Sequence, residues 1–145
     1  MTSTATGTRT VPATPDQVRA LLLDPLKLPA WNPAFLSVAG PRTAAAGQDY
    51  DLRTLPNLHG ALRYTEITRD RIRMEWTVPG MREQCEWVLH DAGGAGTRVD
   101  HAVTRSGPFA AVLRHALADL PGLRLDRLAE TAPSASPAPT AIGSA

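Results

Sequence analysis

Glu83, His101 and Tyr64 are the side chains of this sequence best suited to moving a proton or activating a carbonyl. An imidazole titrates near neutrality, so His101 suits a general base. A carboxyl group raised by burial does acid or base work near neutral pH, which fits Glu83. A tyrosine hydroxyl donates to a developing enolate oxygen, a part open to Tyr64 and Tyr50. Each has a plainer reading. His101 is then a strand-end histidine bonded to a neighbour, Glu83 pairs with Arg105 or Arg82, and the tyrosines pack with their hydroxyls in water.

Trp31, Trp76 and Trp87 have faces on which an aromatic molecule can stack, with Trp31 placed as a lid and Trp87 where core packing is expected. Asn32 reads as a turn residue before Pro33. Cys85 has no Lys, Arg or His beside it in sequence and reads as an inert thiol. His59, His90 and His115 lack metal-ligand spacing. The glycines at 93–96 have no following helix and make a hairpin turn rather than a phosphate cradle. No metal or redox cofactor is implied.

Strand alternation gathers these groups on one face. Ile72, Met74, Trp76 and Val78 share a side, opposite Arg71, Arg73, Glu75 and Thr77. Trp87 and Leu89 point inward and carry Met81, Glu83 and Cys85 with them. Val99 and Val103 likewise carry His101 and Arg105. Leu62 and Tyr64 face in, with Glu66 following unless a bulge intervenes, and Tyr50, Leu52 and Thr54 complete the set. That is too many polar groups for a plain core, so a cavity with convergent polar groups is expected.

The elements that must hold these positions are legible in turn residues and periodicity. A first strand covers 7–11. Thr14, Pro15, Asp16 and Gln17 form a capping box opening a helix with Val18, Leu21 and Leu22 on one face. It stops near Asp24-Pro25, and a very short second helix ends at Trp31. Strands follow at 35–39, 49–54, 61–68, 71–78, 83–90 and 98–105. Their short connections imply an antiparallel meander without βαβ units. After Gly107-Pro108, Phe109, Val112, Leu113, Ala116, Leu117 and Leu120 recur at helical spacing. Leu125 and Leu128 resume that run, which predicts one long helix kinked or broken at Pro121. Residues 132–145 are mostly Ala, Pro, Ser, Thr and Gly, and read as a disordered tail.

Composition narrows the function classes. The chain has 145 residues, 43% hydrophobic and 20% charged, with a formal charge of +1, which suits one domain. Its scattered cations build no basic stripe for nucleic acid. One cysteine excludes an internal disulfide. No apolar run is long enough for a membrane span or signal peptide, so a cytoplasmic protein is expected.

The order strand, two short helices, about six strands and one long helix resembles the START-like (SRPBCC) helix-grip superfamily, polyketide cyclase/dehydrase-like branch. The resemblance rests on Val11–Val18 with Leu22-Leu23-Asp24-Pro25 and Leu28–Pro33, on Trp87-Val88-Leu89 before Gly96-Thr97-Arg98-Val99, and on Leu125–Glu130. It implies an α+β helix-grip domain over 5–131, an antiparallel sheet of six to seven strands around the long helix. It also implies an internal cavity for a small hydrophobic or aromatic molecule. Trp31, Tyr50, Met74, Trp76, Cys85, Arg105, Phe109 and Leu113 are its expected lining, and Glu83, His101 and Tyr64 its catalytic groups. The activity implied is cyclisation or dehydration of a polyketide-like metabolite, with a non-catalytic carrier or sensor as the alternative. Exposed edge strands leave a homodimer open.

Overall fold

The computed structural model describes residues 2–55 and 57–134. It places strand β1 at Thr2–Val11, helix α1 at Pro15–Leu22, a 3₁₀ turn at Pro25–Lys27 and helix α2 at Leu28–Trp31. Strands β2 (Phe35–Ala39), β3 (Asp49–Thr54), β4 (Leu58–Ile67), β5 (Arg71–Val78), β6 (Met81–Asp91) and β7 (Thr97–Ser106) follow. Helices α3 (Pro108–Val112), α4 (Arg114–Leu117) and α5 (Leu120–Thr131) lead to a final 3₁₀ turn, Ala132–Ser134. The strands form one antiparallel sheet in the order β1-β7-β6-β5-β4-β3-β2. The chain thus has the α+β helix-grip architecture that the resemblance implies.

Local chemistry explains the boundaries. Thr14 Oγ1 accepts from the Gln17 backbone N–H while the Gln17 side chain accepts from that of Thr14, so both halves of the capping box form. Leu23 ends α1 with its N–H bonded to Arg19 O, and the pair Asp24-Pro25 prevents a further turn. β1 starts five residues earlier than composition suggests, because Thr2 to Val11 pair without a break against Ser106 to Thr97. An edge ladder overrides weak strand propensity in a polar segment.

The predicted long helix is divided. The breaks fall at Leu113 and at Ala118–Asp119, and Pro121 lies in the first turn of α5 rather than at a kink. Pro121 has no N–H to donate, and at a helix start none is required, so the ring initiates α5 after the break. α5 is the segment that the sheet grips. Pro121, Arg124, Leu125, Leu128 and Ala129 form its buried stripe, and it packs on β1 and β7. Ala132 continues that stripe and is fully buried, so the packed body passes the expected limit at 131. The expected disordered tail falls, from 135 onward, outside the described residues.

Alternation holds on every central strand. The predicted inward sets on β3 to β7 are buried, from Tyr50, Leu52 and Thr54 through Val99, His101, Val103 and Arg105. Glu66 is the exception that the sequence left conditional. A register shift between Tyr64 and Glu66 turns it outward, where it pairs with Arg73 at 3.4 Å.

Gly60 sits on β4 opposite Leu52, and a Cβ there would lie 1.9 Å from the Thr77 carbonyl oxygen of β5. Gly60→Ala is therefore expected to lower stability by about 1–3 kcal/mol, because the strands must part to admit a methyl group. Gly94→Ala, in open space, should stay within about 0.5 kcal/mol of the parent. Urea denaturation of both variants checks this, and equal midpoints would show that β4 and β5 separate freely.

Candidate functional site

The sheet register puts Glu83 of β6 directly opposite Trp76 of β5 on one side and Arg105 of β7 on the other. All three face the concave interior, where α5 brings Arg124. Glu83 Oε2 accepts from Trp76 Nε1 at 2.7 Å and from Arg124 Nη1 at 2.9 Å. Its Oε1 accepts from Arg105 Nε at 2.9 Å and from Arg124 Nη2 at 3.2 Å. Four donors occupy the four lone-pair positions of the carboxylate. Glu83 and Arg124 have no exposed surface and Arg105 is 4% exposed, so this is an ion cluster out of contact with water.

Burial by itself would raise the Glu83 carboxyl. The charge and hydrogen bonds of Arg124, with Arg105 and Trp76, outweigh burial and hold it below the ordinary carboxylate value. The expectation of a raised, proton-donating Glu83 is thus reversed, and the pairing alternative holds for Arg105 but not for Arg82. Arg82 faces outward and bonds Glu75 at 2.7 Å.

His101 lies opposite Trp87 across β6 and β7 and stacks on it, with ring centroids 3.6 Å apart and planes at 14°. Its Nδ1 is 3.1 Å from Glu86 O, which only accepts, so Nδ1 carries the proton. Nε2 is then the acceptor for Arg124 Nη1 at 3.2 Å. Burial, followed by the Arg124 charge, drives the pKa from 6.5 down to about 3. His101 is a neutral imidazole whose lone pair is already engaged.

The other expected site residues divide into packed and peripheral groups. Tyr64 donates its hydroxyl to Leu22 O at 2.5 Å, and burial raises its pKa well above the usual phenol value. That proton ties α1 to the sheet and faces no open space. Tyr50 donates to Thr43 O at 3.1 Å. Cys85 sits opposite Met74, both buried, and burial followed by the Glu83 charge pushes the thiol up to about 12, as suits an inert cysteine. Trp31 is not a lid at a mouth. It is 1% exposed and meets Trp87 edge-on at 5.4 Å, because α2 turns its ring inward. Phe109, 38% exposed, and the half-buried Leu113 stand on α3 and at its end, away from the packed interior.

Arg124 went unrecognised in the sequence. Its signal is position: it lies three after Pro121 and four before Leu128, on the stripe that α5 buries. A cation in an apolar stripe must meet an anion or a carbonyl. Asn32 is the second omission, because beyond its turn bond to the Ala34 N–H its Oδ1 accepts from Arg124 Nε at 3.2 Å. Arg124 therefore fills space that parity alone assigned to a cavity. In this conformation Glu83, Tyr64 and Trp87 have no exposed surface, so no water-sized void touches them. Concavities of about 330 and 570 Å³ lie instead on the outer sheet face, beside Thr65, Gln84 and Thr104 and beside Asp49, Arg63 and Glu75. Among the described residues no cluster of His, Cys, Asp or Glu could hold a metal ion. No described helix is long and apolar enough to cross a membrane.

Residues 2–133 match the family described as "Polyketide cyclase / dehydrase and lipid transport". No curated protein matches in sequence. Among solved structures, protein CV1439 from Chromobacterium violaceum is 24% identical with a TM-score of 0.64, over 88% of this chain and 96% of that one. Norcoclaurine synthase from Thalictrum flavum is 13% identical with a TM-score of 0.66, over 90% and 86%. DynU16, a protein of the dynemicin biosynthetic locus, is 24% identical with a TM-score of 0.60. The match covers 92% of this chain and 49% of that one, so this chain spans about half of DynU16.

Two predictions follow from the cluster. Glu83→Gln leaves two buried guanidinium groups without a counter-charge and should lower stability by about 3–5 kcal/mol. An unchanged denaturation midpoint would mean that water or another anion replaces the carboxylate. His101 makes stability fall in acid. Below pH 6.5 its unfolded form binds a proton that the folded form refuses down to about 3, so stability present above 6.5 is lost between those values. The slope is up to about 1.4 kcal/mol per pH unit. His101→Gln, which keeps an acceptor for Arg124, should flatten that slope in urea titrations from neutrality to about pH 5.

Proposed function

The chain belongs to the polyketide cyclase / dehydrase and lipid transport family, and from that premise we propose that it binds a small apolar or aromatic molecule between its concave sheet face and helices α3 and α4, and cyclises or dehydrates a polyketide-like substrate there. The observation that carries this reading is the ion cluster of Glu83, Arg105 and Arg124, which stands among apolar walls of Trp76, Trp87, Met74 and Val103. Apolar walls with a few convergent polar groups are the usual form of a small-molecule site.

Access is by way of 108–119. Helices of five and four residues, neither with a side-chain cap, are marginal in water. Val112 is 76% exposed on this segment. The segment is joined to the cluster by the hydrogen bond from Arg105 Nη1 to Leu117 O, 3.3 Å long. Such a segment opens at lower free energy than the sheet it covers.

In the opened site the walls fold a flexible substrate so that an enolisable carbon meets a carbonyl, lowering the entropic barrier. Arg124 Nη1, turned from His101 Nε2 to the substrate, polarises the carbonyl oxygen. Proton transfer falls to His101 Nε2 once a ligand draws Arg124 Nη1 away. In the closed form that lone pair is occupied and Glu83 has no free acceptor position. The same saturation favours a second reading, a carrier that binds without converting. Norcoclaurine synthase, which shares the fold, is described in complex with dopamine and hydroxybenzaldehyde, in keeping with aromatic ligands on either reading.

Incubation of the purified protein with aromatic and polyketide-like compounds separates the two. Quenching of Trp31, Trp76 and Trp87 fluorescence together with a product lighter by one water is the expected result. Quenching without any product supports the carrier, and no quenching by any compound removes the binding site altogether.

A further inference from the structure

The ion cluster is not neutral. One carboxylate, Glu83, meets two guanidinium groups, Arg105 and Arg124, while His101 is neutral through its hydrogen bonds and Asn32 is an amide. The sum is one uncompensated positive charge in a place without water, an arrangement that calls for a further anion. The surplus can be located. Arg124 makes four hydrogen bonds, to Asn32, His101 and both oxygens of Glu83. Arg105 gives Nε to Glu83 and Nη1 to Leu117 O, but its Nη2 is buried and has no acceptor. Glu83 cannot serve it, because all four of its acceptor positions are taken.

From this we propose that Arg105 is the receptor for a carboxylate borne by the apolar or aromatic ligand. Nη2 gains an acceptor, and Nη1 exchanges the long bond to Leu117 O for the second carboxylate oxygen, giving an end-on, two-point contact. The exchange frees α4 from the sheet, so binding of the acid and opening of 108–119 are one event. Glu83 holds Arg105 at Nε throughout and keeps the fork aimed. The inference rests on the apolar binding site proposed above and narrows its ligand to a monocarboxylate. Trp31 Nε1 is another buried donor without an acceptor, while Asp24 Oδ1, beyond the C-terminal end of α1, is a buried acceptor without a donor.

Calorimetric titration of the full chain with 2-naphthoate and with its neutral isostere 2-naphthamide tests the assignment. The acid should bind at least about tenfold more tightly at neutral pH, the gain of a charge-assisted contact over a neutral one. Arg105→Lys keeps the charge but not the fork, so it should erase most of that preference by weakening acid binding far more than amide binding. If that variant does not fold by circular dichroism, the acid–amide comparison on the parent decides alone. Equal affinity for acid and amide overturns the carboxylate receptor and leaves apolar binding standing. No binding of either compound overturns both.

Discussion

A carboxylate shut away from water has to be met by donors, and at Glu83 those donors come from three different elements. Trp76 arrives from β5, Arg105 from β7 and Arg124 from α5. A one-residue slip of either neighbouring strand would turn Trp76 or Arg105 to the outer face and leave the charge unmet. A rotation of α5 would withdraw Arg124. The sheet register and the seating of the helix are therefore fixed by the same requirement, which hydrophobic contact alone, being non-directional, does not impose.

Around that charge the aromatic groups pack in two sets of rings. Trp31 meets Trp87 edge-on, Trp87 stacks on His101, and His101 accepts from Arg124. Phe35 likewise meets Trp76 edge-on at 5.4 Å. Helix α2 and strand β2 thus reach the cluster through rings, and Asn32 completes the circuit to Arg124. The stacked Trp87 keeps the imidazole in one orientation, so its tautomer follows from two fixed partners.

Alternation was enough to place every central inward residue, because period-two patterning is unambiguous where one face is buried. It revealed Glu83, His101 and Arg105 on one face but not that they would be bonded together. Arg124 is hidden because Leu125 and Leu128 define the helical stripe, and a single arginine within a leucine pattern looks like a solvent residue. Protonation states are equally out of reach: burial predicts a raised Glu83, and only the Arg124 charge, with the donors around the carboxylate, reverses the sign. The division of 108–131 into three helices is equally unmarked: helical spacing gives no sign of the break at Leu113, and Pro121 is a helix start rather than a break.

β1 pairs along its whole length with β7, the last strand of the sheet, so Thr2 faces Ser106 and Val11 faces Thr97. During synthesis at roughly 5–20 residues per second, β1 leaves the ribosome on the order of ten seconds before its partner exists. Helix α5, which packs against β1, follows later still. The nascent chain therefore carries an unpaired polar strand while the β3–β6 meander, made of neighbours, can already assemble. Closure waits for β7 and α5, and non-local pairings of this kind set the slow phase of folding. The polar, threonine-rich character of β1 suits that wait, because an apolar strand left open so long would invite pairing with other chains.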